Sequence, residues 1–245
     1  MNNNDYFFKR ANKFIPGGAH TYSKGYDQFP SNAPGIIKKG LGCKLWDMEG
    51  NVYTDMAMSL GTTVLGHAYK PVLDAVRNEL SKGVNFCKPS HLEGELAELL
   101  VNTIPGTDMV KLGKHGSDAV TASIKIARAF TGRNIVARCS DDPFNAVHDW
   151  FIGSTVVNRG VPEEVINLTK KFKYNDIESC ENLFNEFPNQ IACFLLEPLS
   201  FIPQNNCNCF KNSINSNNCK EKCYDNHDQN FLIQLKKLCE KMVLF

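Results

Sequence analysis

The residues best suited to chemistry lie in one segment, residues 109–133, which reads MVKLGKHGSDAVTASIKIARAFTGR. A short β-like run at 109–112 leads through a glycine turn to a helical pattern at 119–130. Between the two patterns lie Gly116, Ser117 and Asp118. Backbone N–H groups gathered at the positive end of a helix dipole bind phosphate readily. The segment therefore predicts a phosphate site, and the alternative is that Ser117 or Asp118 only caps an ordinary helix.

Four cysteines form a second chemical pattern, in a loop rich in Asn, Lys and Ser. They are Cys207, Cys209, Cys219 and Cys223, spaced as C-x-C, nine residues, and C-x3-C. Four thiolates can hold a tetrahedral zinc ion, and His227 is near enough in sequence to replace one. The alternative is free or redox-linked thiols in an inserted loop. The other six are expected to behave as small buried hydrophobic residues: Cys43, Cys87, Cys139, Cys180, Cys193 and Cys239.

The elements that position these residues follow from the spacing of the apolar side chains. Helical spacing predicts helices over 70–82, 91–101, 119–130, 177–187 and 229–241. Strands are predicted at 36–37, 44–47, 52–56, 135–139, 191–196 and 242–245, with a loop at 144–150. An unbroken apolar run between helices is typical of a strand covered on both faces. The alternation of helices and strands therefore predicts an α/β domain with a parallel sheet.

Composition restricts the class of protein. With 245 residues the chain can form one large domain or two small ones. Its net charge of +1 gives no electrostatic reason to expect nucleic acid or an anionic membrane as a partner. The sequence shows neither a secretory signal pattern nor an apolar run of about 18 residues, so we expect a soluble, cytoplasmic protein.

Five segments, taken in order along the chain, carry a resemblance to a known family. They are residues 15–25, 45–72, 113–133, 144–150 and 194–198. Together they resemble the class III aminotransferases, which use pyridoxal phosphate, and in particular the glutamate-1-semialdehyde aminomutase-like branch. The resemblance implies an incomplete type I pyridoxal-phosphate-transferase fold, α/β with a mainly parallel sheet flanked by helices. It also implies an N-terminal segment, 1–60, before a large cofactor-binding domain, 61–245, in which the 204–226 loop is inserted.

The resemblance implies how the cofactor is bound. Gly116, Ser117 and Asp118 would present N–H groups and a hydroxyl to the phosphate of pyridoxal phosphate. Phe144 falls where the family has an aromatic residue stacked on the pyridine ring, and Asn-Ala follows it in place of the customary His-Gly. Stacking survives a phenylalanine at this position, but a contact from a tyrosine hydroxyl does not.

The resemblance also implies residues that lie near the substrate. Glu197, at the carboxyl end of a predicted strand, would lie close to the cofactor. Thr21 and Lys24 occupy positions where the aminomutase branch has a substrate-binding Ser and Arg. A lysine keeps the charge but loses the bidentate recognition of a carboxylate. The implied partners are small-molecule amino donors and acceptors, and related enzymes are homodimers.

Two groups that the family needs are not matched in this chain. They are the Schiff-base lysine and an Asp that pairs with the pyridine nitrogen. In the family that Asp follows an apolar strand, which here is 242–245, the end of the sequence. We therefore expect a truncated aminotransferase or aminomutase, acting on a small amino acid or semialdehyde and inactive alone. The alternatives are a non-catalytic remnant or complementing subunit, and an interaction module stabilised by zinc in the 207–223 loop.

Overall fold

The computed structural model describes residues 2–198 and 230–242 of the chain. Two compact units are formed, Met1–Leu96 and Ala97–Phe245. The first unit opens with helix α1, Asn3–Phe14, whose first turn is capped by the Asn2 side chain accepting the Asp5 N–H at 2.8 Å. Three strands follow and pair antiparallel in the order β1-β2-β3: β1 (Ile37–Leu41), β2 (Lys44–Asp47) and β3 (Val52–Thr54).

Three helical segments complete this part of the chain. The single turn α2, Met58–Gly61, has left-handed backbone angles at Ser59 and Leu60. Helix α3, Lys70–Leu80, carries a proline in its first turn, where the missing N–H costs no hydrogen bond. Helix α4, His91–Thr103, follows.

The carboxylate of Asp47, at the end of β2, is fully buried. Its oxygens accept hydrogen bonds from Asn4 Nδ2 at 2.9 Å, from the Tyr53 hydroxyl at 3.0 Å and from the backbone N–H and side chain of Asn51. Asn4 lies in α1, so this carboxylate joins α1 to the sheet. Burial alone would raise the pKa of Asp47, but the hydrogen bonds outweigh burial and hold it well below its ordinary value.

The second unit alternates helices and strands. Its elements are α5 (Gly116–Thr131), β4 (Ile135–Cys139), α6 (Asp149–Ile152), α7 (Glu163–Asn167), β5 (Thr169–Phe172), α8 (Ile177–Glu186), β6 (Ile191–Leu195) and α9 (Phe231–Lys241). The three strands are parallel, with β4 between β5 and β6. Helix α5 ends at Gly132, whose φ of 68° is a left-handed conformation that favours glycine.

Side chains of β4 alternate between two buried clusters. Ile135, Ala137 and Cys139 pack on one side of the sheet with residues of α8 and α9. Val136 packs on the other side with residues of α5 and α6. The sheet is therefore covered by helices on both faces, as the unbroken apolar run of β6 predicted.

Most of the predicted elements are confirmed. The strand at 135–139 has the predicted bounds, and the helices predicted at 70–82, 91–101, 119–130, 177–187 and 229–241 are present with ends shifted by a few residues. No prediction was made for α1, α7 or β5. Strand β5 lies at the edge of the three-stranded sheet in the described part of the chain, and the charged pair Lys170-Lys171 interrupts its apolar pattern, which is common in edge strands.

Three further predictions concern the run at 109–112, the six scattered cysteines and the strand at 242–245. The β-like run at 109–112 is not a strand, because no described strand lies beside it to share hydrogen bonds. Cys43 and Cys87 are exposed, so the expectation of burial was wrong for these two. The expectation of burial is confirmed for the other four, Cys139, Cys180, Cys193 and Cys239. Burial raises the thiol pKa to about 12 at Cys180 and to about 11 at Cys193 and Cys239. The strand predicted at 242–245 lies almost wholly outside the described residues.

None of the helices within residues 2–198 and 230–242 has the length and apolar character needed to cross a membrane.

We expect Asp47→Asn to lower the melting temperature at neutral pH, because an amide presents its own N–H groups to the donors around this position. The folded-state pKa of Asp47 is lowered, so its contribution is present above the unfolded-state value of about 3.9 and is lost as the pH falls below it. Melting curves followed by circular dichroism between neutral and acid pH test this. Asp47→Asn should reduce the fall in melting temperature between neutral and acid pH, whereas the exposed Asp74→Asn in α3 should leave that fall unchanged.

Candidate functional site

The first N–H groups of α5 are the centre of the candidate site. His115 precedes the helix in an extended conformation, with φ −125° and ψ 152°, and no side chain caps the helix. The N–H groups of Asp118 and Ala119 donate to the His115 carbonyl at 3.1 and 3.3 Å. Across the described part of the chain, the N–H groups of Gly116 and Ser117 have no acceptor. These two donors lie at the positive end of the helix dipole and are available to an anion.

The surroundings of these donors leave room for a ligand. A Cβ added at Gly116 would meet no atom within 4 Å. The half-exposed Asp118 carboxylate lies 3.2 Å from His115 Nδ1. The capping alternative is wrong, because His115 is the N-cap and neither Ser117 nor Asp118 caps the helix. Of the three predicted phosphate-binding residues, Gly116 and Ser117 keep an available N–H, and Asp118 uses its own inside the helix.

The side chain of Ser117 contacts the loop that follows β4. Its Oγ accepts the Val147 N–H at 3.1 Å. A serine hydroxyl accepts with its lone pairs and donates its single hydrogen, so the Ser117 O–H remains available to an anion beside the two N–H groups. Ser117 thus joins the loop of residues 144–150 to the N-terminus of α5.

One turn further along α5, Thr121 makes a second connection to the same loop. Its Oγ1 lies 2.8 Å from His148 Nδ1 and accepts the Trp150 Nε1–H at 2.9 Å. Trp150 is only 5% exposed and begins the buried part of α6. Sequence reasoning did not identify Thr121. The available signal was its position four residues after Ser117, which puts both hydroxyls on one face of the helix.

Phe144 presents an exposed ring from this loop. It is 53% exposed, and it packs edge-on against the buried Phe151 with ring centroids 5.5 Å apart. The guanidinium of Arg138 lies over the Phe151 ring at 4.8 Å. The Phe144 ring therefore packs against a buried aromatic ring, and that ring in turn contacts the buried Arg138 guanidinium.

Two buried charged side chains, Arg138 and Asp142, lie at or just after the carboxyl end of β4. Arg138 donates to Ser154 Oγ at 2.6 Å, to the Ser154 carbonyl and to the Cys139 carbonyl at 2.8 Å. Asp142, 3% exposed, accepts the Glu197 N–H at 3.0 Å through Oδ2. Burial lowers the pKa of Arg138 and raises that of Asp142, and each charge partly opposes the shift of the other. The Glu197 backbone is thereby fixed at the carboxyl edge of the sheet.

The remaining predicted site residues fall either in the first unit or outside the described residues. Thr21 and Lys24 are exposed in the first unit, where the Thr21 carbonyl accepts the Lys24 N–H at 2.9 Å in a short 3-10 turn. Cys207, Cys209, Cys219 and Cys223 lie outside the described residues, so the zinc prediction is untested. In residues 2–198 and 230–242 no group of three or more His, Cys, Asp and Glu side chains could hold a metal ion.

A helix N-terminus with open donors, an exposed aromatic ring and a carboxylate at the carboxyl edge of a parallel sheet is typical of α/β proteins that bind a phosphorylated, ring-containing ligand. The chain belongs to the class III aminotransferase family, described as Aminotransferase class-III, which it matches over residues 23–201.

Related proteins agree with this membership. Glutamate-1-semialdehyde 2,1-aminomutase of Syntrophomonas wolfei is 34% identical over 202 residues, which are 79% of this chain and 46% of that protein. The omega-transaminase of Sphaerobacter thermophilus has a TM-score of 0.71 at 26% identity, over 80% of this chain and 47% of that one. A glutamate-1-semialdehyde-aminomutase of Pseudomonas aeruginosa PAO1 shares the fold, with a TM-score of 0.74 at 18% identity over 98% and 50%. The chain spans about half the length of the curated relatives that it matches.

The structure therefore contains part of the type I fold of pyridoxal-phosphate-dependent aminotransferases. The residues present fit the phosphate end of that cofactor. Gly116 and Ser117 offer two open N–H donors and a hydroxyl, and the space at Gly116 is clear. A phosphate carries the negative charge that this helix end favours.

We expect Arg138→Lys to lower the free energy of unfolding by roughly 2–4 kcal/mol, because a lysine cannot reproduce the hydrogen bonds to Ser154 or the stacking on Phe151. Urea denaturation followed by circular dichroism measures this. The exposed Arg159→Lys, in the same unit, is the matched control and should change stability by no more than about 0.5 kcal/mol. Equal stability of the two variants would show that the buried guanidinium does not support the Phe144 loop.

Proposed function

We propose that this chain binds pyridoxal phosphate at the N-terminus of α5 and serves amino-group transfer on a small amino acid or semialdehyde. The observation that carries the proposal is the pair of open N–H groups at Gly116 and Ser117, on the same helix that holds the loop of Phe144. Family membership supports the choice of cofactor. The aminomutase relatives support the choice of substrate class.

Each residue has a defined role in this proposal. The N–H groups of Gly116 and Ser117 and the Ser117 hydroxyl bind the phosphate, and Asp118 shapes the same turn through its pairing with His115. The ring of Phe144 lies against the pyridine ring. When bound, the cofactor supplies an aldehyde and an electron-withdrawing ring. Glu197, whose backbone N–H donates to Asp142, would lie near that ring.

The substrate contacts are assigned to the first unit. We propose that Lys24 attracts the carboxylate of the substrate as a point charge and that Thr21 donates a hydrogen bond. The proposal assigns these residues binding and orientation, and it assigns covalent attachment of the aldehyde to no lysine among residues 1–245. Amino-group transfer requires one site to hold both the aldehyde and the amine form of the cofactor, so the amine form is a suitable non-covalent probe.

We expect Gly116→Pro to weaken the binding of pyridoxamine phosphate by about tenfold or more, because proline removes one charge-assisted N–H donor. Proline is well accommodated in the first turn of a helix, and the extended conformation of His115 is the one that a following proline requires. Isothermal titration calorimetry on the full chain measures the affinity. Gly116→Ala keeps the N–H, adds a methyl group in open space, and should bind within about twofold of the wild type.

The same titrations separate phosphate recognition from ring recognition. Pyridoxamine without its phosphate should bind weakly to all three proteins, because it makes no contact with the N-terminus of α5. The proposal fails if Gly116→Pro retains the affinity of Gly116→Ala while the melting temperatures of both match that of the wild type.

A further inference from the structure

Thr121 occupies a position where one hydroxyl serves two ring nitrogens. Trp150 Nε1 carries a hydrogen and can only donate, so Thr121 Oγ1 accepts from it at 2.9 Å. A hydroxyl oxygen has a second lone pair that could accept another N–H, but His148 Nδ1, 2.8 Å away, is the one acceptor among the described residues within reach of the Thr121 hydroxyl hydrogen, so we take that hydrogen to be donated to Nδ1. With Nδ1 as the acceptor, the ring hydrogen of a neutral His148 must be on Nε2. The hydrogen bonds around Thr121 therefore favour the Nε2–H tautomer of His148.

We propose that Thr121 is a positioning residue of the cofactor site: it fixes His148 in the Nε2–H tautomer and holds the Phe144 loop on α5. The inference rests on the proposed function for the identity of the ligand, but the tautomer does not depend on any ligand. Thr121 itself lies behind the phosphate-binding turn and acts through the loop.

The arrangement of contacts supports this role. Ser117 and Thr121 are four residues apart and lie on one face of α5. They bind the backbone of Val147 and the side chains of His148 and Trp150, so three positions of the loop are tied to that face. Phe144 lies only three residues before the first of these ties. The Phe144 ring and the phosphate-binding N–H groups are therefore held at fixed positions relative to each other, which lowers the ordering cost of binding a ligand that contacts both.

The fixed tautomer also gives the site a defined polar group. His148 is partly exposed, and among the described residues no acceptor lies within hydrogen-bond distance of its Nε2. The Nε2–H is therefore a donor of known identity beside the ring-binding loop. Without Thr121, the two neutral tautomers of His148 would compete, and the same position would present a donor or an acceptor.

The conservative pair Thr121→Val and Thr121→Ser tests the proposal. Valine keeps the shape and removes the hydroxyl, whereas serine keeps the hydroxyl. The first measurement is the 15N chemical shifts of the His148 ring in the full chain, assigned by comparison with His148→Gln. The wild type and Thr121→Ser should show the Nε2–H tautomer, and Thr121→Val should show a mixture of tautomers.

The second measurement compares two ligands by calorimetry. Thr121→Val should bind pyridoxamine phosphate about fivefold more weakly, because the Phe144 loop loses its hydrogen bonds to α5 through His148 and Trp150 and must be ordered when the ligand binds, and Thr121→Ser should bind within about twofold of the wild type. Inorganic phosphate should bind equally to all three, because the N–H groups of Gly116 and Ser117 are unchanged.

Each contrary result has a distinct meaning. An Nδ1–H tautomer in the wild type overturns the inference, and this measurement needs no ligand and no change at Thr121. Equal weakening of phosphate and pyridoxamine phosphate in Thr121→Val also overturns it, because Thr121 would then support the helix and not the loop. Wild-type protein that binds neither ligand refutes the proposed function, while the tautomer measurement still decides the role of Thr121 in holding His148.

Discussion

The parallel pairing of β4 with both β5 and β6 is the constraint on which the candidate site depends. Because the three strands point the same way, their carboxyl ends meet at one edge of the sheet. The loop after β4 and the segment after β6 are therefore neighbours, and Asp142 reaches the Glu197 N–H. A strand order with β4 at an edge, away from β6, would remove this hydrogen bond and separate Phe144 from Glu197.

Strand β4 also carries a buried cation, Arg138. Alternation places Arg138 on the side of Val136, toward α5 and α6, where Phe151 and Ser154 lie. The guanidinium donates hydrogen bonds to neutral oxygens, and its flat face lies over an aromatic ring. These contacts offset the cost of removing the guanidinium from water. The Phe151 ring in contact with Arg138 is also the ring against which Phe144 packs edge-on, with centroids 5.5 Å apart.

Features that are set by local sequence patterns could be predicted, and features that depend on contacts between distant residues could not. The strand at 135–139 and the helix that begins near Ser117 are set by local patterns, and both were predicted. The run at 109–112 has the local pattern of a strand but lacks a partner strand among the described residues. A threonine inside a helix has no distinctive local pattern, so Thr121 became visible only when folding brought Trp150 and His148 to it. In the sequence Arg138 only interrupts an apolar strand pattern, because its hydrogen-bond partners lie up to 16 residues away along the chain.

The departure from the family in the loop after Phe144 can be interpreted physically. Ala146 stands where the family has glycine, and it is fully buried in the cluster that contains Val136 and Trp150. Its φ is not in the left-handed region, so this backbone does not require glycine and the extra methyl group packs against the core. The loop is tied to α5 through the Val147 backbone, His148 and Trp150, and none of these ties involves Asn145. The Asn-Ala pair that replaces His-Gly is therefore compatible with the hydrogen bonds that hold the loop on the helix. The Asn145 side chain instead acts on the buried Asp142 carboxylate, where its hydrogen bonding opposes the rise in pKa that burial causes.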